Sequence, residues 1–319
     1  MKVNKLRMNK KIKNRGHLYK LTRTLCYNIF NRTKNINVEI PDKTLEIMLS
    51  EDRKIYSGLH KSMWETIGIP VILDIKKVQV PYIVVAKTLI GKPFRSITEY
   101  LGIIFVDTNN KIKGSIDMLE KIPEILKKHD ILIFPEGTRT KTGLINDFST
   151  PIFDIAKKYS ENQETYIIPF NVDYHIVNDA RERIVSTKKY KFMTHHLLYW
   201  FKDLENIYVT FGEPIRVKDF ENRKKLKEYT REKSSQLVKI MPINIYSKAI
   251  SILGKDFKEY ELIRKINDLL IDLNPHKSKF REFKTIDDIV KSIKTTNDDL
   301  RIYSLYGNYI NHYFDKYKI

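Results

Sequence analysis

The sequence predicts an α/β fold: a central, mostly buried β-sheet flanked by helices, with a basic amphipathic N-terminal helix and a helical C-terminal region. Three observations carry this. Short apolar runs bounded by turn residues recur between about residues 50 and 215, and such runs read as buried strands. Stretches with apolar residues at helical spacing alternate with them, the order that builds a sheet covered by helices. Beyond Val217 the strand signals stop and helical stripes take over.

In chain order, Leu18, Leu21, Leu25 and Ile29 recur at helical spacing with Lys20 and Arg23 off that face, a basic amphipathic helix within Leu18 to Phe30. Lys54 to Gly58 is a short strand that leads through LHKSMWE into a helical stretch. VPYIVVA is a buried strand bounded by Pro81 and Lys87, and GIIFVD is a second. Ser115 to Lys128 is a helix with Ile116, Leu119, Ile122 and Leu126 at apolar spacing. DILIFPEG is the next strand and ends in a Pro-Glu-Gly turn. Thr150 to Tyr159 is helical, with Ser149 or Thr150 as cap and Pro151 suited to a first turn. TYIIPFNVDY and IYVTFGEPI supply two further strands, and the internal proline of the first demotes it to an edge or bulged position. Leu262, Ile266, Leu269 and Leu273 form one helical stripe; Tyr306, Tyr309, Tyr313 and Tyr317 form another, which reads as core packing before it reads as a stacking platform. The chain thus divides into a basic segment over 1–45, an α/β domain over 46–217 and a helical region over 218–319.

Composition narrows the class. Of 319 residues, 42% are hydrophobic and 30% charged, enough apolar material for a core. Eleven glycines and eleven prolines exclude collagen-like and linker-rich chains. One cysteine, Cys26, excludes an intramolecular disulfide and a cysteine-based zinc site, and fits a reducing compartment. There are 58 Lys+Arg against 39 Asp+Glu, a formal charge of +19, and it is unevenly spread. Eleven basic residues and no acid lie between Met1 and Lys34, because the first carboxylate is Glu39; the remainder carries only +8. With no apolar run ahead of a small-residue cleavage site, and no run of about eighteen apolar residues, neither a signal peptide nor a spanning helix is expected. The basic amphipathic segment suits an anionic phospholipid membrane surface, reached from the cytoplasmic face as a peripheral or monotopic protein, or packs on the domain behind it. Nucleic acid is the least supported partner, since no helix-turn-helix, RNA-recognition or zinc-finger motif accompanies the charge.

Two strings carry the chemistry. In SGLHKSMWETIGIP, His60 stands at a strand-to-helix junction five residues before Glu65. On one ideal helix that separation turns the side chains apart by about 140°. They can meet only if His60 lies in the turn ahead of the helix, where the carboxylate would accept Nδ1–H, fix the tautomer and leave Nε2 as a general base. His195 and His196, side by side, read as structural. In FPEGTRTKTG, a buried strand places Glu136, Gly137, Thr138 and Arg139 at its carboxyl end, where open α/β sheets bind ligands. Gly137 allows close backbone approach and the Arg139 guanidinium can grip a phosphate bidentately.

Together and in this order, HKSMWE, GIIFVDT, FPEGTRT and IIPF resemble the four blocks of the glycerolipid acyltransferase family, which includes the glycerol-3-phosphate and 1-acylglycerol-3-phosphate acyltransferases; FGEPI near Phe211 is also typical. The resemblance covers roughly residues 50 to 215. It implies acyl transfer from acyl-CoA or acyl-carrier protein to a glycerol hydroxyl, with His60 and Glu65 catalytic and Glu136, Gly137, Thr138 and Arg139 holding a phosphate-bearing glycerolipid acceptor, and with no metal, no other cofactor and no covalent acyl-enzyme. The expected product is phosphatidic acid, from 1-acyl-sn-glycerol-3-phosphate. Glycerol-3-phosphate or another lysophospholipid is the alternative acceptor, and a membrane-binding relative with a lost active site the alternative class. Two positions depart from the family's pattern. Glu65 stands where aspartate is usual, one methylene longer, and Thr108 where an arginine usually meets the acceptor phosphate; Lys111 or Lys113 would supply a point charge there, without the guanidinium fork.

Overall fold

The computed structural model describes residues 24, 27, 28, 30, 34–88, 99, 102–107, 110–140, 142–174, 205–254, 256–283, 285–291 and 300–314. Most of the expected N-terminal helix, Thr108, His195, His196 and Tyr317 lie outside them.

The chain enters through β1 (Lys34–Glu39) and α1 (Asp42–Leu49), then β2 (Arg53–Gly58), α2 (Glu65–Ile75) and β3 (Tyr82–Ala86). β4 (Ile103–Val106) leads to α3 (Lys111–Leu126), β5 (Ile131–Ile133) to α4 (Pro151–Ser160), and β6 (Thr165–Asp173) precedes β7 (Glu205–Phe211) and β8 (Ile215–Arg216). Among the described residues the helices that follow are α5 (Arg223–Gln236), α6 (Pro242–Leu253), α7 (Glu259–Leu273), α8 (Ile286–Lys291) and α9 (Leu300–Asn308). The strands form one sheet in the order β1-β7-β6-β2-β5-β3-β4, with β8 beside β6. β2, β3, β4, β5 and β6 run parallel to their neighbours within that run, while β7 and β8 pair antiparallel to β6.

Strand residues alternate faces, so each strand feeds two cores. One face buries Ile55, Val84, Ile104, Ile131 and Ile167 against Met118 and Ile122 of α3, Ile152 and Phe153 of α4, and Leu226 of α5. The other buries Tyr56, Leu132, Ile168, Phe170 and Val209 against Met48 of α1, Ile69 and Leu73 of α2, and Leu305 and Tyr306 of α9. The expected mostly buried sheet with helices on it is the observed architecture, in three layers.

Four details differ from the sequence reading. β1 falls inside the segment assigned to the basic N-terminus and pairs with β7, Ile36 against Ile207 and Val38 against Val209; only two apolar residues, each preceded by a poor strand former, asparagine, leave its alternation too short to stand out. IYVTFGEPI, read as one strand, is two, broken at 212–214. On α3, Ile122 and Leu126 are buried as expected, but Ile116 and Leu119 are about half exposed, at 49% and 51%. The helix also starts four residues earlier, where Asn110 Oδ1 accepts from Lys113 N at 3.0 Å.

The fourth is a correction. The proline does not put β6 at an edge: β6 pairs with β2 on one flank and with β7 and β8 on the other. The carbonyl of Pro169 accepts from Gly212 N at 2.8 Å. Within a strand the N and C=O of one residue point to the same side, so the nitrogen without a hydrogen faces the corner between β7 and β8. There the ladder passes from one partner to the next and a donor is dispensable.

Among the described residues no helix is long and apolar enough to cross a membrane.

Candidate active site

Because β5, β2 and β6 lie side by side and parallel, their carboxyl ends open on the same edge of the sheet. The segments that leave them, Phe134 to Arg139, His60 to Glu65 and Tyr174, are neighbours for that reason alone. Both sequence strings therefore arrive at one place.

His60 sits two residues beyond β2, ahead of α2, in the turn that the geometry requires. Its Nδ1 lies 2.8 Å from Glu65 Oε2. Glu65 opens α2 and is fully buried. Its other oxygen accepts from Ser62 N at 2.8 Å, Lys61 N at 3.1 Å and the Tyr174 hydroxyl at 3.0 Å. A carboxylate at a helix N-terminus, wrapped by backbone N–H groups, is held as an anion and cannot swing. The imidazole is equally fixed: Phe134 stacks on it with ring centroids 4.1 Å apart and planes 17° apart. With Nδ1 donating to Glu65, proton transfer falls to Nε2.

Glu136 acts on this unit from the β5 side. One oxygen accepts from His60 N at 3.0 Å and the other from Asn146 N at 3.0 Å. Burial pushes its pKa up, against the two backbone N–H groups that pull it down. Thr140 N donates to His60 O at 3.2 Å, so both backbone polar groups of His60 are tied to the FPEGTRT segment. Gly137 and Thr138 are exposed and Arg139 is half-buried at the same edge. Gly137 closes a tight turn, its N–H on Phe134 O at 2.9 Å.

Lys111 is not brought to this cluster. It opens α3 after β4, three strands from β2, roughly 14 Å away at the usual strand spacing. Lys113, in the same turn of α3, is exposed.

The family model described as Acyltransferase matches residues 35–173, from β1 through the end of β6. Residues 35–173 are thus similar to an acyltransferase domain. The match contains every site residue named above except Tyr174, which lies one residue past its end, and it leaves α5 to α9 outside. No curated protein matches the chain. Among solved structures, the 1-acyl-sn-glycerophosphate (LPA) acyltransferase PlsC from Thermotoga maritima is 16% identical to this chain, over 74% of it and 87% of that one, with a TM-score of 0.44.

Three members of the candidate site escaped the sequence reading. Tyr174 reaches Glu65 from the end of β6. Lys61, buried next to His60, pairs through Nζ with Asp173 Oδ1 at 2.5 Å, and Asp173 Oδ2 in turn accepts from Asn171 Nδ2 and Lys239 N. Thr140 ties the two loops. Each depends on the neighbour relation of β6, β2 and β5, which no local pattern encodes. The one available signal was the polar ending NVDY on an otherwise apolar strand, which places an acid and a phenol at a carboxyl edge.

Proposed function

We propose that the chain transfers an acyl group from acyl-CoA or acyl-carrier protein to the hydroxyl of 1-acyl-sn-glycerol-3-phosphate, forming phosphatidic acid. The observation that carries the reading is the His60 Nδ1 to Glu65 Oε2 contact of 2.8 Å, set directly against the loop that bears Arg139. His60 Nε2 takes the hydroxyl proton as the oxygen attacks the thioester carbonyl carbon. Glu65 stabilises the imidazolium that forms, the C–O bond replaces C–S as the tetrahedral intermediate collapses, and the imidazolium returns the proton to the departing thiolate. Arg139 holds the acceptor's phosphate end, and fixing the hydroxyl against His60 supplies much of the rate, because a thioester is already activated. Glu136 accepts two backbone N–H groups, and in this mechanism it holds the His60 backbone in place while Arg139 grips the acceptor. The additional methylene of Glu65 relative to aspartate is taken up by a carboxylate buried under Tyr174 and two backbone donors, which favours an intact site over a lost one.

The acceptor and product are lipids, so the site works at an anionic membrane surface. The basic residues before Lys34 support that, and so does a stripe on α3, where Ile112, Ile116 and Leu119 are 75%, 49% and 51% exposed beside Lys113.

Radiolabelled acyl-CoA and acyl-carrier protein, each offered with 1-acylglycerol-3-phosphate, glycerol-3-phosphate and other lysophospholipids, followed by lipid extraction, test the proposal. Labelled phosphatidic acid from the first acceptor, lost by about a thousandfold in His60→Ala, is the expected result. Wild-type turnover in His60→Ala would overturn the mechanism, and label in a different lipid would reassign the acceptor.

A further inference from the structure

The C-terminal helix α9 lies outside the acyltransferase domain, yet it rests on both loops that make the site. Asn308 Nδ2 donates to Thr142 O at 2.8 Å, on the segment that returns from Arg139. One residue on, Gly143 has φ +81°, and a Cβ there would stand 1.9 Å from Leu305 O and 3.0 Å from Asn308 Cβ. No residue with a side chain fits between loop and helix. Just past the helix, the Tyr309 ring lies under Lys61 Nζ at 5.1 Å, beside His60. Leu305, Tyr306 and Tyr309 share one core with Phe134, the residue stacked on the imidazole.

The helix is itself braced from behind. Asn244 Nδ2 of α6 donates to Tyr306 O at 3.0 Å, and Lys248 Nζ to Asn311 Oδ1 at 2.6 Å. At Gly307 the two helices meet backbone to backbone, a Cβ there falling 2.8 Å from Lys248 Cα. On the loop's other flank Arg231 of α5 donates to Ile145 O at 2.9 Å and Asn146 O at 3.2 Å, and Asn146 N holds Glu136. The segment from Thr142 to Asn146 is thus clasped between α9 and α5.

We infer that α9 is a structural clamp for the acceptor-binding loop, with Asn308 as the positioning residue that sets where Arg139 stands relative to His60. A loop carrying a phosphate-gripping arginine aims it only as well as the loop is held, and here the holding atoms come from a helix about 165 residues further along the chain. Misplacing the loop weakens the grip on the acceptor and, because Thr140 and Glu136 hold the His60 backbone, lowers kcat as well, while the Nδ1 to Oε2 contact that closes within residues 60–65 is kept and with it the pH profile. This inference rests on the proposed role of Arg139, and its test includes a readout that does not.

The variants are Asn308→Ala, which removes the donor, and Asn308→Asp, which sets a carboxylate against the Thr142 carbonyl; Ser304→Ala, on α9 with its hydroxyl against Ser251 of α6, is the control. Hydrogen exchange of the amides in 137–146 is measured with thermal stability, and the acceptor KM, acyl-donor KM and kcat in the acyl-transfer assay. Expected in Asn308→Ala are exchange faster by about fivefold confined to that loop and an acceptor KM higher by about as much, with donor KM and the pH profile unmoved. Asn308→Asp exceeds it and Ser304→Ala matches the wild type. Unchanged loop exchange in both Asn308 variants overturns the clamp. Loosened exchange with an unchanged acceptor KM overturns the positioning role of Asn308. Loosened exchange in a protein whose wild type transfers no acyl group supports the clamp and defeats the proposed reaction instead.

Discussion

Tyr174 donates its hydroxyl to Glu65 Oε1 at 3.0 Å, joining the end of an interior strand to the carboxylate that orients His60. Tyr174→Phe keeps the ring edge-on to Trp64, whose centroid is 6.3 Å away, and removes one donor. Glu65 still accepts from Lys61 N and Ser62 N, so it stays ionised, but with one donor fewer its charge acts more fully on the imidazole. A less neutralised carboxylate favours the imidazolium, so His60 loses its proton at higher pH than in the wild type. The acid limb of kcat/KM therefore moves to higher pH and kcat falls by about threefold to tenfold. A pH–rate profile superimposable on the wild type would reduce Tyr174 to a packing residue.

Glu136→Gln isolates the role of the carboxylate that ties the two loops. Two backbone donors, His60 N and Asn146 N, each need an acceptor, and glutamine offers one oxygen and turns its NH2 toward the other. The donor left without a partner costs about 1–3 kcal/mol. Removing a buried charge whose pKa burial has raised offsets part of that. The melting temperature hence changes little, while kcat drops by about tenfold to a hundredfold as His60 drifts from its line of attack. Calorimetry beside steady-state kinetics separates the two effects; a loss of kcat matched by an equivalent loss of folded protein would contradict this account.

How much of this was legible in the sequence follows from the range of each signal. β2 to β6 announce themselves as apolar runs between turns, because a buried strand needs nothing beyond its own residues to be recognised. The His60 to Glu65 contact was legible too, since it closes over five residues and only one local geometry allows it. β1 was not, because two apolar residues among asparagines, which are poor strand formers, make too short a signal for a strand stabilised by β7 some 170 residues away. Pro169 misled for the same reason: whether a proline nitrogen faces a ladder or a corner depends on where β7 ends. Ile116 and Leu119 satisfied the helical period and yet face outward by half, because the period fixes which residues share a face and tertiary packing decides how much of it is covered.

Arg139→Ala and Arg139→Lys test the phosphate grip. Arg139 leaves the Gly137 turn at the same sheet edge as His60, and a guanidinium can hold a phosphate through two parallel hydrogen bonds where an ammonium acts as a point charge. The acceptor KM rises by about tenfold or more in Arg139→Ala and by less in Arg139→Lys, with donor KM and kcat at saturating acceptor little changed. The reverse pattern, a raised donor KM with an unaltered acceptor KM, would move Arg139 to the acyl-donor side.

His312 governs part of the acid stability. Its Nε2 is sealed from solvent without a hydrogen-bond partner among the described residues, and its pKa is lowered to about 3, first by burial and then by the charges of Lys61 and His276. The unfolded chain binds this proton near the ordinary histidine value of about 6.5, whereas the folded protein refuses it until about pH 3. Between those limits the unfolded state carries more protons, so stability rises with pH; it is fully present above about 6.5 and drains away on acidification, with a limiting slope of about 1.4 kcal/mol per pH unit. Because α9 and the residues after it brace the loop of Arg139, acid should loosen that region early. His312→Gln abolishes the titration. Its melting temperature, followed from pH 7.5 to 4.5, falls less steeply than that of the wild type, and parallel curves for the two proteins would remove His312 from the acid response.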